Sequence, residues 1–261
     1  MNNKDFVIDF HQPFENLPNA PIVEAVIHWR AKAGRKLEPD DFLGKLKDRL
    51  PNYPNSQRQQ EVKLDSEIST SGSSFKIQQP HWHGFRFESK DKRHVAQFTS
   101  DGLAFSRLKP YQDWEQFESE AQRLWQIYVS LAGPPEIQRL GVRFINLVTP
   151  ASPETLKEIL VCPPCSPNEM PLPIKEFMHR STFSIPNHPY NLNVIQTIAP
   201  PKSERESASV ILDLDVFTTR AVENNQQQLK RRLQEMRWIK NKAFFTFVHT
   251  DAIAKFKGKP L

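Results

Sequence analysis

The stretch PIVEAVIHWR, residues 21–30, decides the fold, because its side chains alternate as they do along a β-strand. One face of this strand would be apolar throughout. The other face would place Glu24 and His28 beside Ile22 and Val26. A strand that is largely apolar on both sides is expected to lie in the middle of a sheet, so the sequence predicts a central strand here.

A second strand of this kind, IQRLGVRFINLVTP at residues 137–150, is expected beside the first. Arg139 and Arg143 fall on one of its faces. Because an isolated buried carboxylate is strongly unfavourable, we expect Glu24 to form an ion pair with these two arginines across the junction. The alternative is that these charges reach solvent at strand ends or on an open sheet face.

The two halves of the chain show the same order of elements: a strand, a short helix, three or four antiparallel strands and a long helix. The sequence therefore predicts an α+β fold with two pseudo-repeated halves. Residues 1–133 would form the first half with an extended N-terminal lead-in, and residues 134–261 the second with a basic C-terminal helix and tail. The halves would join into one curved antiparallel sheet with the long helices on one face, a helix-grip arrangement resembling TATA-binding-protein-like folds in topology.

The clearest helix follows Asp113, where apolar side chains recur at steps of three and four residues. Asp113 with Gln116 has the spacing of a capping box, and Gly133 followed by two prolines predicts the end of the helix. The polar stretch 51–74 predicts a loop.

The positive charge lies in the second half of the chain. Residues 1–132 hold 18 basic and 18 acidic side chains, whereas residues 229–261 hold nine basic and two acidic ones. A basic segment suggests an anionic partner, either nucleic acid or an acidic protein face, although a solvated helix face has the same composition. Basic and aromatic side chains together suit single-stranded nucleic acid, where bases stack and phosphates meet cations. The predicted binding residues are Lys230, Arg231, Arg237, Lys240, Trp82, Phe85, Phe87 and Trp238.

The stretch ILDLDVF places Asp213 and Asp215 on one face of a strand. Paired carboxylates of this kind hold divalent metal in many nucleases, so a metal-dependent nuclease or hydrolase centred on these two residues is the alternative function. The structural alternative is a polar sheet face on which the aspartates bond to arginines such as Arg139, Arg143 or Arg220.

Two further motifs are weaker metal candidates. His81 and His83 in HWH would project from one strand face. Cys162 and Cys165 form a CPPC motif, but it lacks both a second CxxC and the strand–helix turn of a redox dithiol. Two ordinary cytosolic thiols are the favoured explanation of the motif, and its role is left open.

Several function classes lose support from the sequence. It shows no glycine-rich phosphate loop, nucleophile elbow or dinucleotide fingerprint, and it holds only 8 glycines, so we expect no nucleotide cofactor. No apolar run approaches the roughly 18 residues that span a bilayer, and the N-terminus resembles no secretory signal. The chain is therefore expected to be cytoplasmic, without a membrane partner.

Four stretches resemble a sporadically distributed family of uncharacterised bacterial proteins: LPNAPIVEAVIHW, RLGVRFINLV, ILDLDV and IKNKAFFTFVHTDAI. The resemblance covers nearly the whole chain in the same order, and the RxGxRFIN pattern is its most specific part. It implies a bacterial single-module protein and no particular reaction. A patchy distribution is typical of mobile elements and of phage-defence or toxin–antitoxin neighbourhoods.

The sequence thus favours a non-enzymatic binding module for a macromolecule. The partner would be a protein or a nucleic acid, and a homodimer is compatible with the sequence. The module would act as a regulatory or antitoxin-like subunit encoded beside an effector.

Overall fold

The computed structural model shows one large antiparallel sheet. It describes residues 6–61, 64–69, 72–77, 81–149, 156–167, 169–170, 172, 174–199 and 209–258. The strands are β1 (Ile22–Arg30), β2 (Asn55–Glu61), β3 (Leu64–Ser69), β4 (Gly72–Ile77), β5 (His81–Glu88), β6 (His94–Thr99), β7 (Gly102–Leu108), β8 (Arg139–Val148), β9 (Met178–Ser184), β10 (Tyr190–Ala199) and β11 (Ser209–Thr218). Nine of them form a sheet in the order β2-β5-β6-β7-β1-β8-β11-β10-β9, while β3 and β4 pair with each other.

The first strand lies at the centre of this sheet. β1 pairs antiparallel with β7 on one side and with β8 on the other, so that Ile27 lies opposite Phe105 and Val142. All three side chains are fully buried. The prediction of a central strand from residues 21–30 is confirmed.

Helices cover one face of the sheet. The five described helices are α1 (Pro39–Arg49), α2 (Trp114–Ala132), α3 (Leu156–Ile159), α4 (Gln226–Phe247) and α5 (Thr250–Lys255). α1 contacts β5, α2 contacts β7, and α4 contacts β8, β10 and β11. We call the face that carries Ile27, Phe105 and Phe144 the helix-covered face.

Aromatic rings join the helices to the central strands. Trp29 of β1 stacks on Trp125 of α2, with ring centroids 5.3 Å apart. Phe117 of α2 contacts the rings of Phe105 and Phe144 at centroid distances of 5.4 and 6.3 Å. Buried aromatic pairs contribute stability beyond the area they remove from water, so this cluster fixes α2 across the junction of β7, β1 and β8.

The boundaries of α2 agree with the sequence prediction. The Asp113 carboxylate accepts a hydrogen bond from the Gln116 backbone N–H at 2.7 Å. Gly133 ends the helix with φ +55°, a left-handed conformation that glycine adopts at little cost.

The predicted fold class is wrong. The described residues form one open nine-stranded antiparallel sheet with five helices, and not two pseudo-repeated helix-grip halves. Four strands (β2, β5, β6 and β7) lie on the β1 side of the β1–β8 pair and three (β11, β10 and β9) on the β8 side, while β3 and β4 pair separately. A similar order of elements along the chain therefore does not produce the predicted repeat.

The loop predicted for residues 51–74 is wrong over most of its length, because β2, β3 and the start of β4 lie there. β2 has the sequence NSQRQQE without an apolar alternation. It is an edge strand whose backbone pairs with β5, and polar edge strands need no apolar face. Within the described residues, no helix combines the length and the hydropathy needed to cross a membrane.

Candidate functional site

The second face of the sheet is not covered by α1, α2 or α4. Along the central strands, every second side chain is buried on the helix-covered face, and the side chains between them point to this second face. We call this surface the open face. Its central residues are Glu24, Val26, His28, Arg139, Gly141, Arg143, Ile145, Asp213, Asp215, Phe217, Asn193 and Ile195. The open face is the candidate functional site because its side chains form an ordered network.

Two arginine–aspartate pairs link β8 to β11. Arg143 donates from Nε to Oδ1 of Asp213 at 2.9 Å and from Nη2 to Oδ2 at 2.6 Å. Arg139 donates from Nη2 to Oδ2 of Asp215 at 2.8 Å, and its guanidinium lies 4.2 Å from the centroid of the Phe217 ring. Charge-assisted bonds of this kind fix the direction of the guanidinium groups.

The two aspartates differ in their electrostatic environment. The Asp213 side chain is only 7% exposed and is bound at both oxygens, and its hydrogen bonds raise the pKa of Arg143. Burial raises the pKa of Asp215, although Arg139 and Arg143 oppose this shift. Asp215 Oδ1 is buried and has no hydrogen-bond partner among the described residues.

His28 is held as a neutral imidazole. Burial, followed by the positive charges of Arg139 and Arg143, lowers its pKa to about 3. Its Nε2 atom is buried without a hydrogen-bond partner in the described chain. The ring lies over Gly141 of β8, where a Cβ atom would stand 2.2 Å from His28 Cε1. Gly141 therefore leaves the space that the imidazole occupies.

The predicted ion pair between Glu24 and the arginines is wrong. Arg139 and Arg143 bond to Asp215 and Asp213 instead, and no ion pair of Glu24 within 4 Å occurs in the described part of the chain. Glu24 is partly buried and still contributes to raising the pKa of Arg143 through its charge. The reason is the register: β11 presents both carboxylates beside β8, so the arginines are satisfied there, as the structural alternative predicted.

Partly buried apolar side chains lie among these charges. Val26, Ile145, Ile195 and Phe217 occupy the centre of the open face. Towards both edges the face becomes polar: Gln59 donates to Gln97 on one side, and on the other side Thr182 of β9 donates to Asn193 of β10. The open face thus has an apolar and arginine-rich centre with an amide and hydroxyl rim.

The charges of the open face nearly balance. Arg143 and Arg139 are neutralised by aspartates, and Arg86 pairs with Glu88 at 2.8 Å. Among the described strand residues, the cations of this face are Arg30, Arg86, Arg139, Arg143 and Arg180, and its anions are Glu24, Glu61, Glu88, Asp213 and Asp215. A surface of this composition produces little net attraction for a phosphate backbone.

The predicted basic residues on α4 do not form a continuous patch. Lys230 is exposed, Arg231 pairs with Glu235, and Arg237 pairs with Glu115 at 3.0 Å. Lys240 is only 9% exposed and lies against the core. Its prediction as a surface contact is therefore corrected: the residue occupies a core position of the helix.

The predicted aromatic contacts are also largely buried. Phe85 and Phe87 are at most 1% exposed, and Trp238 is 6% exposed with its ring against Phe6 and Phe14. Trp82 is partly buried. Rings that fill the core have no free face for a base, so Phe85, Phe87 and Trp238 are not available for stacking.

The metal candidates are placed as follows. Arg143 bonds both carboxylate oxygens of Asp213, and Arg139 bonds one oxygen of Asp215, so each carboxylate already has a positively charged partner. Ring nitrogens of His81 and His83 lie 3.2 and 3.8 Å from a carboxylate oxygen of Glu61. Cys162 and Cys165 are exposed free thiols. Among the described residues, no group of three or more His, Cys, Asp or Glu side chains is arranged to hold a metal ion.

Sequence reasoning missed the environment of two residues, although a signal for each was present. Gly141, a glycine inside an apolar strand, signals a close approach by another group, and that group is the His28 ring. Lys240 follows Met236 at helical spacing on the apolar side of α4, which signals burial.

No model of a known protein family matches the chain, and no curated protein matches it.

Proposed function

We propose that the chain is a non-enzymatic binding module whose open face docks a partner protein. The single observation that carries this proposal is the constitution of that face. Partly buried apolar side chains and fixed arginines form its centre, and amides and hydroxyls form its rim. Protein interfaces have this anatomy, with aromatic residues and arginine at the core and a polar rim.

The same chemistry favours a protein over a nucleic acid. The central arginines are neutralised by their own aspartates, and the rings predicted to stack with bases lie in the core. A protein partner instead gains from preset guanidinium directions, because less side-chain entropy is lost on binding. A nucleic acid is retained as an outcome of the test.

Metal-dependent hydrolysis at Asp213 and Asp215 receives no support from the geometry, since each carboxylate is bound by an arginine. The cytoplasmic location, the regulatory or antitoxin-like role and the resemblance to the bacterial family remain predictions. Three of the four stretches that carry this resemblance overlap β1, β8 and β11, which are neighbours in the sheet and form the centre of the open face.

The first experiment is site-specific photo-crosslinking in the cells that produce the protein naturally. A benzophenone amino acid replaces Thr182, which is exposed on the open face, or Gln234, which is exposed on α4. We expect one protein to be captured from position 182 and not from position 234. Equal capture from both positions, capture of nucleic acid, or no capture would contradict the proposal.

The second experiment uses the purified partner. The substitution Ile195→Glu adds a charge to the apolar centre of the open face, whereas Gln234→Glu adds the same charge on the helix side. We expect Ile195→Glu to weaken binding by at least about tenfold and Gln234→Glu to leave it unchanged. Unchanged affinity in Ile195→Glu would refute docking at this face. Binding of labelled oligonucleotides that weakens steeply with salt would assign the face to nucleic acid instead.

A further inference from the structure

A cleft on the helix-covered side lies apart from the open face. It has a volume of about 440 Å³ and is bounded by the N-terminal segment 14–22, the segment 111–115 and α4. This size is in the range of roughly 300–1,000 Å³ that is usual for small-molecule sites. The cleft is therefore large enough for an organic ligand.

Lys240 forms part of the wall of this cleft. The side chain is 9% exposed, and its Nζ lies 3.8 Å from the centroid of the Phe144 ring. No ion pair of Lys240 within 4 Å occurs in the described chain, whereas most cationic side chains this deeply buried are paired. The amine thus lacks a counter-charge.

The carboxylates that line the cleft are already engaged. Glu15 pairs with Lys257 at 2.8 Å, Glu115 pairs with Arg237 at 3.0 Å, and Asp113 caps α2. None of them is available to neutralise Lys240.

Burial, with a smaller contribution from the charge of Arg237, lowers the pKa of Lys240 to about 7. Desolvation always opposes the charged form of an amine, and an anion placed beside the amine would oppose this effect. The charged and titratable residues that face the cleft are Glu15, Tyr111, Asp113, Glu115, Arg237 and Lys240. Burial raises the pKa of Tyr111, so its hydroxyl stays neutral in the range considered below.

The remaining wall is aromatic and amide in character. Phe14, Trp114 and Phe245 present apolar surface, and Asn146 and Asn241 present amides. Apolar walls with a few convergent polar groups are typical of sites for organic ligands.

We propose that this cleft binds a small aromatic anion, with the anionic group at the Lys240 amine and the rings against the aromatic wall. The ligand supplies the counter-charge that the protein does not provide.

The probe is 1-anilinonaphthalene-8-sulfonate, an aromatic anion that fluoresces when bound. Its matched control is N-phenyl-1-naphthylamine, which has the same ring system without the sulfonate. We expect the sulfonate probe to bind the folded full-length chain with one-to-one stoichiometry. Absence of binding would overturn the proposal.

The decisive variant is Lys240→Met, which keeps an unbranched side chain of similar length and removes the amine. Lys230→Met is the matched control, because Lys230 lies exposed on the same helix. We expect Lys240→Met to weaken the sulfonate probe by at least about tenfold and to leave the uncharged probe unchanged. Equal loss of both probes would indicate altered packing, and no loss would indicate binding elsewhere; either result overturns the proposal.

A second measurement needs no variant. The sulfonate stays charged at every pH used, so its affinity for the wild-type chain should fall as the Lys240 amine loses its proton. We expect up to about tenfold weaker binding per pH unit above pH about 7, and no change for the uncharged probe. An affinity for the sulfonate that is constant from pH 6 to 9 would overturn the role of Lys240.

Discussion

Replacing Lys240 with methionine should make the protein more stable. The residue lies on the buried side of α4, one turn after Met236, and is 9% exposed. Methionine has an unbranched side chain of similar length and fills the same space without a charge. The substitution therefore removes the cost of burying an amine and retains most of the packing.

The size of this effect follows from the pKa. Burial lowers the pKa of Lys240 from 10.5 to about 7, and each pKa unit corresponds to about 1.4 kcal/mol. Burying the protonated amine therefore lowers the free energy of unfolding by roughly 5 kcal/mol. At pH 7 about 4 kcal/mol of this cost is present, because half of the native molecules have released the proton. Loss of the contact with the Phe144 ring offsets about 1 kcal/mol. We expect Lys240→Met to gain about 3 kcal/mol at pH 7.

The stability that Lys240→Met gains over the wild type should decrease as the pH rises. In the unfolded chain Lys240 keeps its proton up to about pH 10.5, whereas the native chain releases it near pH 7. Between these values unfolding takes up a proton, so the free energy of unfolding of the wild type rises with pH by up to about 1.4 kcal/mol per unit. The advantage of Lys240→Met should therefore be largest below pH 7, shrink from pH 7 to 10.5 and be lost above that range.

Urea unfolding of wild type, Lys240→Met and the exposed control Lys230→Met, followed by tryptophan fluorescence at pH 6 to 10, measures these differences. Groups that titrate in all three proteins cancel when the free energies are subtracted. Lys230→Met should stay within about 0.5 kcal/mol of wild type at each pH. A difference between Lys240→Met and wild type that does not change with pH would refute the reasoning.

Two further predictions concern the open face. Gly141→Ala should lower the free energy of unfolding by about 1–3 kcal/mol, because its Cβ would meet the His28 ring. The double variant Gly141→Ala with His28→Ala should lose at least about 1 kcal/mol less than the sum of the two single losses. Strictly additive losses in urea unfolding would contradict this contact. Asp213→Asn should lower the free energy of unfolding by about 1–2 kcal/mol, less than the loss of a fully buried pair, because the Arg143 side chain is 43% exposed. Asp41→Asn, in an exposed pair with Lys45, should lower it by under about 0.5 kcal/mol. Equal thermal unfolding midpoints for the two variants would show that the buried position of Asp213 is irrelevant.

The sequence predicted those elements whose local signals agree with their packing. Residues 21–30 alternate strongly enough to identify β1, and Asp113 with Gly133 marks both ends of α2. In each case the residues that determine the element lie within it or beside it. Such signals need no knowledge of the rest of the fold.

The same reasoning failed where backbone pairing determines the structure. β2 joins the sheet at its edge through hydrogen bonds to β5, and its seven polar residues give no pattern that predicts this. The repeat was predicted from the order of elements, but that order does not specify how many strands each side of a sheet collects. The register between strands cannot be predicted from the sequence of either strand alone. Asp213 and Asp215 reach Arg143 and Arg139 only because β11 pairs with β8.

The surface residues were predicted poorly for a related reason. Phe85, Phe87 and Trp238 are as compatible with a stacking surface as with a core, because sequence alone does not say which face a helix will cover. Lys240 was assigned to a basic surface by its charge, although its helical spacing from Met236 placed it on the apolar side. Where charge and periodicity disagree, the structure here follows periodicity.

β8 connects the open face with the cleft, because successive residues of this strand point to opposite sides of the sheet. Arg143 lies on the open face, while Phe144 contacts Lys240 and Asn146 lines the cleft. β8 is paired along its length with β1 and with β11, and close-packed strands of this kind have little room to shift. A ligand in the cleft should therefore leave the arginine–aspartate pairs in place, and the two surfaces should bind independently. It follows that Lys240→Met serves as a control for partner docking, and Ile195→Glu as a control for the sulfonate probe, so that failure at one surface does not count against the other.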